Sequence, residues 1–413
     1  MLRSISVLGS SSGRNAGDAA LISGLMDSVD EACGRRLRYE IPTIRPSYIR
    51  NHYDNDAIPV PMMPWNLAIK MLGLPTYNSV MRTDLSLIFD AILFDRSLYN
   101  PLFNMMAPLA LMLPRAKKRG KKLACYNVGA GPVDSAAGRR ILRELADMMD
   151  FITVRDEGSY RVLQDVGVSN DRVLLTADAA LNVRPSSEER IRTIFESLAL
   201  NPNEEILAVN VNRYLDTWAK PTRTSMGKDK FLKIYASALN QVVEKLNVPL
   251  LFVATQHHDV QISKELMGML RTKQPVRLLA NTAFNHYDIK GALSKVSLLL
   301  GMRLHSMILA TAEHTPTVGI AYQPKCAYYF EDLGLSSYML DFDDFSSASL
   351  TELFLRGWED RVSLRRALET RVPALKARAH FSGELVAAID RGEDVDRLIA
   401  RARSDERVRQ VGQ

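Results

Sequence analysis

Cysteine is scarce in this chain: Cys33, Cys125 and Cys326 are scattered through 413 residues, with no CxxC spacing among them. That argues against a disulfide framework and a zinc site, and fits a reducing compartment. Long hydrophobic runs are missing as well. The longest uncharged stretch, Ser97 to Pro114, is broken by Pro101, Pro108 and Pro114 and by Asn100 and Asn104, so no membrane-spanning helix is expected. The first residues run straight into a strand pattern, Ile5-Ser6-Val7-Leu8, with no signal-peptide pattern. Basic runs with interleaved aromatics are absent, so nucleic acid is not an expected partner. The glycines at 9, 13 and 17 do not fit GxGxxG, which argues against a nicotinamide or flavin cofactor. His257-His258 has no third or fourth ligand at a useful spacing, and Asp259 beside it reads as a helix-starting residue, so no metal is expected.

What is present is a soluble globular profile, 46% hydrophobic and 24% charged, with a modest net charge of +6 that suits anionic small substrates or an acidic membrane surface. The length suits two domains of ~150–200 residues. Strand and helix patterns alternate. A polar break at Arg184 to Arg190 divides them into an N-terminal domain over 1–184, a C-terminal domain over 190–375 and a helical tail over 376–413. The helix at Phe381 to Ile389 is expected to return to the first domain. Within the first half, Leu85 to Phe94 reads as a buried strand. His52 to Thr83 reads as a long loop or lid with Met62, Met63, Trp65 and Met71 on an apolar face. Lys117 to Lys122 reads as a solvated helix end, with a membrane surface as the second reading.

The most informative stretch is 301–325, GMRLHSMILATAEHTPTVGIAYQPK. An apolar run ends at Gly301, a helical pattern starts at Arg303 and closes near His314, and a second apolar run spans Val318 to Tyr322. This is one βαβ unit. In open parallel sheets the ligand lies beyond the C-terminal strand ends, against the helix N-termini, and Arg303 and His305 stand there. The positive end of the helix favours an anion, a guanidinium grips carboxylate or phosphate bidentately, and a histidine moves protons near neutral pH.

The string RLHSMILA followed by GIAYQPK resembles the C-terminal signature of the polysaccharide pyruvyl transferases. Three further stretches are similar to that family in the same order. They are Asn15-Ala16-Gly17-Asp18-Ala19-Ala20, the Gly129-Ala130-Gly131-Pro132 turn with Phe151 to Ser159, and Arg213 after the first strand of the second half. One departure is Phe94-Asp95-Arg96-Ser97, where relatives usually carry a Gly-Gly pair.

The resemblance implies two Rossmann-like domains facing across a cleft, of the glycosyltransferase-B type. It also implies phosphoenolpyruvate as donor, with no cofactor, and a sugar or lipid-linked glycan as acceptor, in the cytoplasm or at the inner face of the membrane. On that reading His305 is the acid/base, while Arg213, Arg303, the Leu304 backbone N–H and Lys325 bind the donor anion. Asn15 and Asp18 are further substrate-binding candidates. The main competitor is a nucleotide-sugar glycosyltransferase on the same fold, with Glu313 as a ribose-binding carboxylate. A non-catalytic sugar-binding protein is the third reading.

Overall fold

The computed structural model describes residues 1–62, 73–100, 103–213 and 226–404. The chain forms two compact units. One comprises Met1–Gly13, Asp18–Val183 and the chain from Ala374 on; the other comprises Arg14–Gly17 and Arg184–Pro373.

The first unit is built on β1 (Ser4–Leu8), β2 (Arg38–Thr43), β3 (Asp56–Pro61), β4 (Leu85–Ile88), β5 (Lys122–Val128), β6 (Phe151–Val154) and β7 (Val173–Leu175). They form one sheet in the order β3-β2-β1-β4-β5-β6-β7, with every pairing parallel. Parallel strands buried on both faces are mostly apolar, and β4 to β7 are, with the buried Ser86, Asn127 and Thr153 as their polar interruptions. Helices α1 (Ala16–Cys33), α2 (Pro46–His52), α3 (Leu74–Arg82), α4 (Met106–Lys118), α5 (Ala136–Met148) and α6 (Glu157–Asp165) connect the strands. The core over β4 and β5 takes Met106, Leu109 and Leu113 from α4 and Leu142 and Leu145 from α5.

The second unit repeats the plan with β8 (Leu207–Val209), β9 (Leu250–Ala254), β10 (Val276–Ala280), β11 (Leu298–Gly301), β12 (Thr317–Ala321) and β13 (Met339–Asp341). Its order is β10-β9-β8-β11-β12-β13, again all parallel. Both sheets reverse direction of growth beside their first strand, so each has a switch point, β1/β4 in one and β8/β11 in the other. Helices α7 (Glu188–Ser197), α8 (Lys228–Leu246), α9 (Asp259–Met267), α10 (His286–Leu293), α11 (Leu304–Thr311), α12 (Pro324–Asp332) and α13 (Ser347–Glu359) surround the second sheet. Helix α14 (Arg361–Arg391) starts in this unit, and its last turns pack in the first, followed there by α15 (Val395–Ser404). Gly383 allows that packing, because a Cβ there would lie 2.6 Å from the Ser28 carbonyl oxygen.

Several expectations need correction. The strand expected over Leu85 to Phe94 ends at Ile88, because Asp90 takes a left-handed φ of 66° and turns the chain. The apolar Ile92 and Leu93 that follow are buried in a loop, with Leu93 bridging to Ala130, so they fill the core without joining the ladder. Phe94–Ser97 therefore does not end the strand. Asp95 instead accepts hydrogen bonds from the backbone N–H groups of Asp134 (2.9 Å) and Ser135 (2.6 Å). The stretch from His52 to Thr83 is not a loop throughout, since it contains β3 and α3; Met63, Trp65 and Met71 lie outside the described residues. The pattern expected to close near His314 stops at Thr311, and the chain after β13 forms two helices, α13 and α14, parted at Asp360.

Candidate active site

The second unit's switch point gathers the candidates. Arg213 follows β8, Asp259 opens α9 after β9, and Arg303 follows β11, so three adjacent parallel strands bring these residues to one rim. Asp259 ties them together. Its carboxylate is fully buried and accepts from the Arg303 guanidinium through Nε to Oδ2 and through Nη2 to Oδ1 at 2.8 Å. The same Oδ1 accepts the Arg213 backbone N–H at 2.7 Å. Fork-to-fork geometry of this kind orients as well as attracts. It uses one edge of the guanidinium and fixes which edge faces away from the carboxylate. The Arg213 side chain is exposed, and the residues that follow it, 214–225, lie outside the described set.

Asn210 shapes the turn between β11 and α11. Its Oδ1 accepts from the backbone N–H of Arg303 (2.9 Å) and Met302 (3.3 Å) and from the Ser306 hydroxyl (2.9 Å), while its Nδ2 donates to the Val253 carbonyl (2.8 Å). One buried carboxamide thus connects the ends of β8, β9 and β11. Gly301 lets α11 lie close on the sheet, since a Cβ there would fall 2.3 Å from Met307 Cγ. No side chain caps α11. Its ladder starts with Ser306 and Met307, which both donate to the Arg303 carbonyl, leaving the Leu304 and His305 amides outside it at the positive end of the helix.

His305 meets an unexpected neighbour. The segment Arg14–Gly17 docks on this rim: Ala16 N–H donates to the Thr255 carbonyl (2.7 Å), His257 N–H to the Arg14 carbonyl (3.0 Å), and Asn281 Nδ2 to the same carbonyl (3.1 Å). Asn15 bridges to Gln256, and its Oδ1 accepts the Gly17 N–H at 3.0 Å. Gly17 then lies against the imidazole, where a Cβ would be 2.1 Å from Nδ1. Asn15 thus belongs to the rim that holds His305. Asp18 belongs to the first unit, where its charge acts on Arg155.

Lys325 lies in the first turn of α12, after β12, the strand next to β11. Glu313 is elsewhere. It lies more than two turns beyond His305, roughly 12 Å of helix rise, and pairs with the buried Lys290 at 3.1 Å. It is not on the rim that a ribose-binding carboxylate would need. His257 and His258 flank the start of α9, and among the described residues no three His, Cys, Asp or Glu side chains are grouped to hold a metal ion.

In the first unit the Arg155 side chain is buried, paired with Asp178 at 3.1 Å. Burial pulls its pKa down, but Asp178 and three further carboxylates outweigh that and raise it. Asp156 caps α6 by accepting the Ser159 N–H at 2.8 Å, and Ser159 Oγ accepts from the Ala130 N–H at 2.9 Å. These conserve the shape of the GAGP turn and its neighbours by charge pairing and capping.

Sequence reasoning missed two residues of the rim. Asp259 reads in the sequence as an ordinary helix start, and Asn210 stands within the strand pattern ILAVNVN over Ile206 to Asn212. The available signal was a polar residue inside ILAVNVN, since a carboxamide in a strand buried on both faces must find partners.

Fold and site together define an α/β protein of two Rossmann-like units, the glycosyltransferase-B type, with Arg213, Asp259 and Arg303 gathered on one rim of the second. The model of the polysaccharide pyruvyl transferase family matches residues 15–324, and the chain belongs to that family. It is a transferase with a pyruvyl-transfer role in polysaccharide synthesis. Amylovoran biosynthesis protein AmsJ from Erwinia amylovora is 23% identical over 295 residues, covering 68% of each chain. Among solved structures, the UDP-GlcNAc 2-epimerase from Neisseria meningitidis bound to UDP-GlcNAc superposes with a TM-score of 0.61 at 11% identity, over 95% of this chain and 99% of that one. Anabaena HepE in complex with UDP-glucose gives 0.56 at 13% identity, over 98% and 100%. At such identities these two show the fold alone.

Proposed function

We propose that the protein transfers the pyruvyl group of phosphoenolpyruvate to two hydroxyls of a sugar in a cell-surface or exopolysaccharide precursor, giving a pyruvate ketal and phosphate. The observation that carries this reading is the Arg303–Asp259 pair at the uncapped start of α11, two positions before His305. Phosphoenolpyruvate carries a carboxylate and a phosphate. Arg303, Arg213, Lys325 and the Leu304 N–H supply a planar fork, two further cations and an amide of a helix N-terminus for them.

The reaction balances without a cofactor. A proton added to the methylene carbon makes the neighbouring carbon electrophilic, and the first sugar hydroxyl adds there. The bond from that carbon to the phosphate oxygen breaks, and the second hydroxyl closes the ketal. The two hydroxyls release two protons; one replaces the proton given to the methyl group and the other is taken up by phosphate. His305 is the proton carrier, a role worth ~10²–10⁴ in rate. Asn15, bridged to Gln256 on the same rim, is a further substrate contact in this reading. The acceptor is a sugar or lipid-linked glycan, and the reaction runs in the cytoplasm at or near the inner face of the membrane.

Mass spectrometry of reactions pairing phosphoenolpyruvate with candidate glycan acceptors tests the proposal. A gain of roughly 70 Da on the acceptor marks one pyruvate ketal, a hexose-sized gain from a nucleotide sugar marks the competing glycosyl transfer, and no product leaves only binding.

A further inference from the structure

Helix α4 in the first unit is apolar on both sides. Its inner face is spent on the core, with Met106, Leu109, Leu113 and Ala116 fully buried. Its outer face should then be polar, as on an ordinary surface helix. Instead Leu111 is 70% exposed, and in the turn leading into the helix Tyr99 is 72% and Phe103 66% exposed. Scattered exposed apolar residues need no explanation, but these three fall within thirteen residues of one uncharged stretch.

The charge beside them has one sign. Between Asp95 and Asp134 the sequence contains no Asp or Glu and seven Lys or Arg residues. Lys117 and Lys122 are held by Asp150 at 3.1 and 3.3 Å. Arg115, Lys118 and Arg119 are exposed. Ala107, Leu111, Arg115 and Lys118 follow the spacing that puts residues on one helix face, so the apolar stripe runs directly into the cations. Aromatic and aliphatic groups that enter the acyl boundary, with cations reaching phosphate headgroups, are the two components of an interfacial helix. Among the described residues no helix is long and apolar enough to cross a membrane, so such a face is a way to lie on one.

We propose that the outer face of α4, with Tyr99 and Phe103 ahead of it and Arg115, Lys118 and Arg119 at its end, docks the first unit on an anionic lipid bilayer. The inference does not rest on the reaction proposed above, and its test contains no substrate. Purified full-length protein is floated with vesicles of phosphatidylcholine alone and of phosphatidylcholine with about one-third phosphatidylglycerol. The wild type should float with the anionic vesicles, and less so at high salt. Phe103→Ser/Leu111→Ser and Arg115→Gln/Lys118→Gln/Arg119→Gln should each weaken partitioning roughly tenfold or more, with unchanged melting temperature because the replaced side chains are exposed. Failure of the wild type to float would overturn the proposal, as would binding that either variant leaves intact. Self-association without vesicles that Leu111→Ser abolishes would overturn it too, because a second copy would then cover this face.

Discussion

Gly17 lies flat against His305: a Cβ built on Gly17 would sit 2.1 Å from the imidazole Nδ1 and 2.3 Å from Cγ. Two residues nearly three hundred positions apart thus share one contact, in which the absence of a side chain sets the position of the ring. Gly17→Ala is expected to move the imidazole or the Arg14–Gly17 segment. Turnover should fall by ~10²-fold, the scale of an ångström-sized misplacement of a reacting group. Steady-state kinetics beside a melting curve separates this from a folding defect, since alanine is otherwise the better helix residue.

Arg303→Lys keeps the charge and loses the fork. Lysine cannot satisfy both Asp259 oxygens while presenting a planar edge outward, so affinity for phosphoenolpyruvate should fall at least ~10-fold. Calorimetric titration of the purified variant reads this directly. An unchanged affinity would make the Arg303–Asp259 pair a purely structural one.

Asp259→Asn tests the same pair from the other side. The carboxylate is fully buried, and breaking such a pair typically costs about 3–5 kcal/mol. The amide retains part of the bonding, so the loss of stability should fall below that range. The kinetic signature is a raised KM for phosphoenolpyruvate with a smaller change in kcat, because Asp259 aims Arg303 and does not touch the proton in transit.

His305→Ala should lose ~10²-fold or more in turnover while keeping its melting temperature and most of its anion affinity. On the proposed reading, Arg213, Arg303 and the start of α11 supply the attraction and the imidazole serves the proton transfer. A variant that melts early yet turns over normally when folded would remove His305 from the chemistry.

Asp288, at the start of α10, gives a pH prediction. Burial raises its carboxyl pKa, but hydrogen bonds from Arg190 (2.8 and 3.1 Å) and Ser186 (2.7 Å) outweigh burial and leave it below the ordinary value. A depressed carboxyl contributes stability above its unfolded pKa of about 3.9 and loses it as pH falls through the lower folded value. Asp288→Asn should therefore lower the melting temperature at neutral pH and have progressively less effect on it as the pH drops below about 4. Melting curves of both proteins between neutral and acid pH check the slope.

The alternation of apolar runs with amphipathic stretches is local information. A strand buried on both faces is mostly apolar, and β5, β6, β9 and β12 could be read for that reason. The Arg303–His305 placement was also local, because a strand, a glycine and a helix start fix where a side chain stands relative to its own strand end. Asp259, Asn210 and Gly17 were not legible in the same way. Each acts on groups that only the strand order makes adjacent: β9 beside β8, β8 beside β11, and the turn after β1's loop against β9's end. Strand order is decided by how whole helices cover a twisted sheet, and no residue encodes it alone. The tertiary structure also removed Glu313 from the rim, since helix length placed it more than two turns away and Lys290 held it there. Sequence thus determined the two sheets and where the C-terminal ends of their strands lie, while the packing of distant segments decided which carboxylate holds the arginine and which backbone meets the histidine.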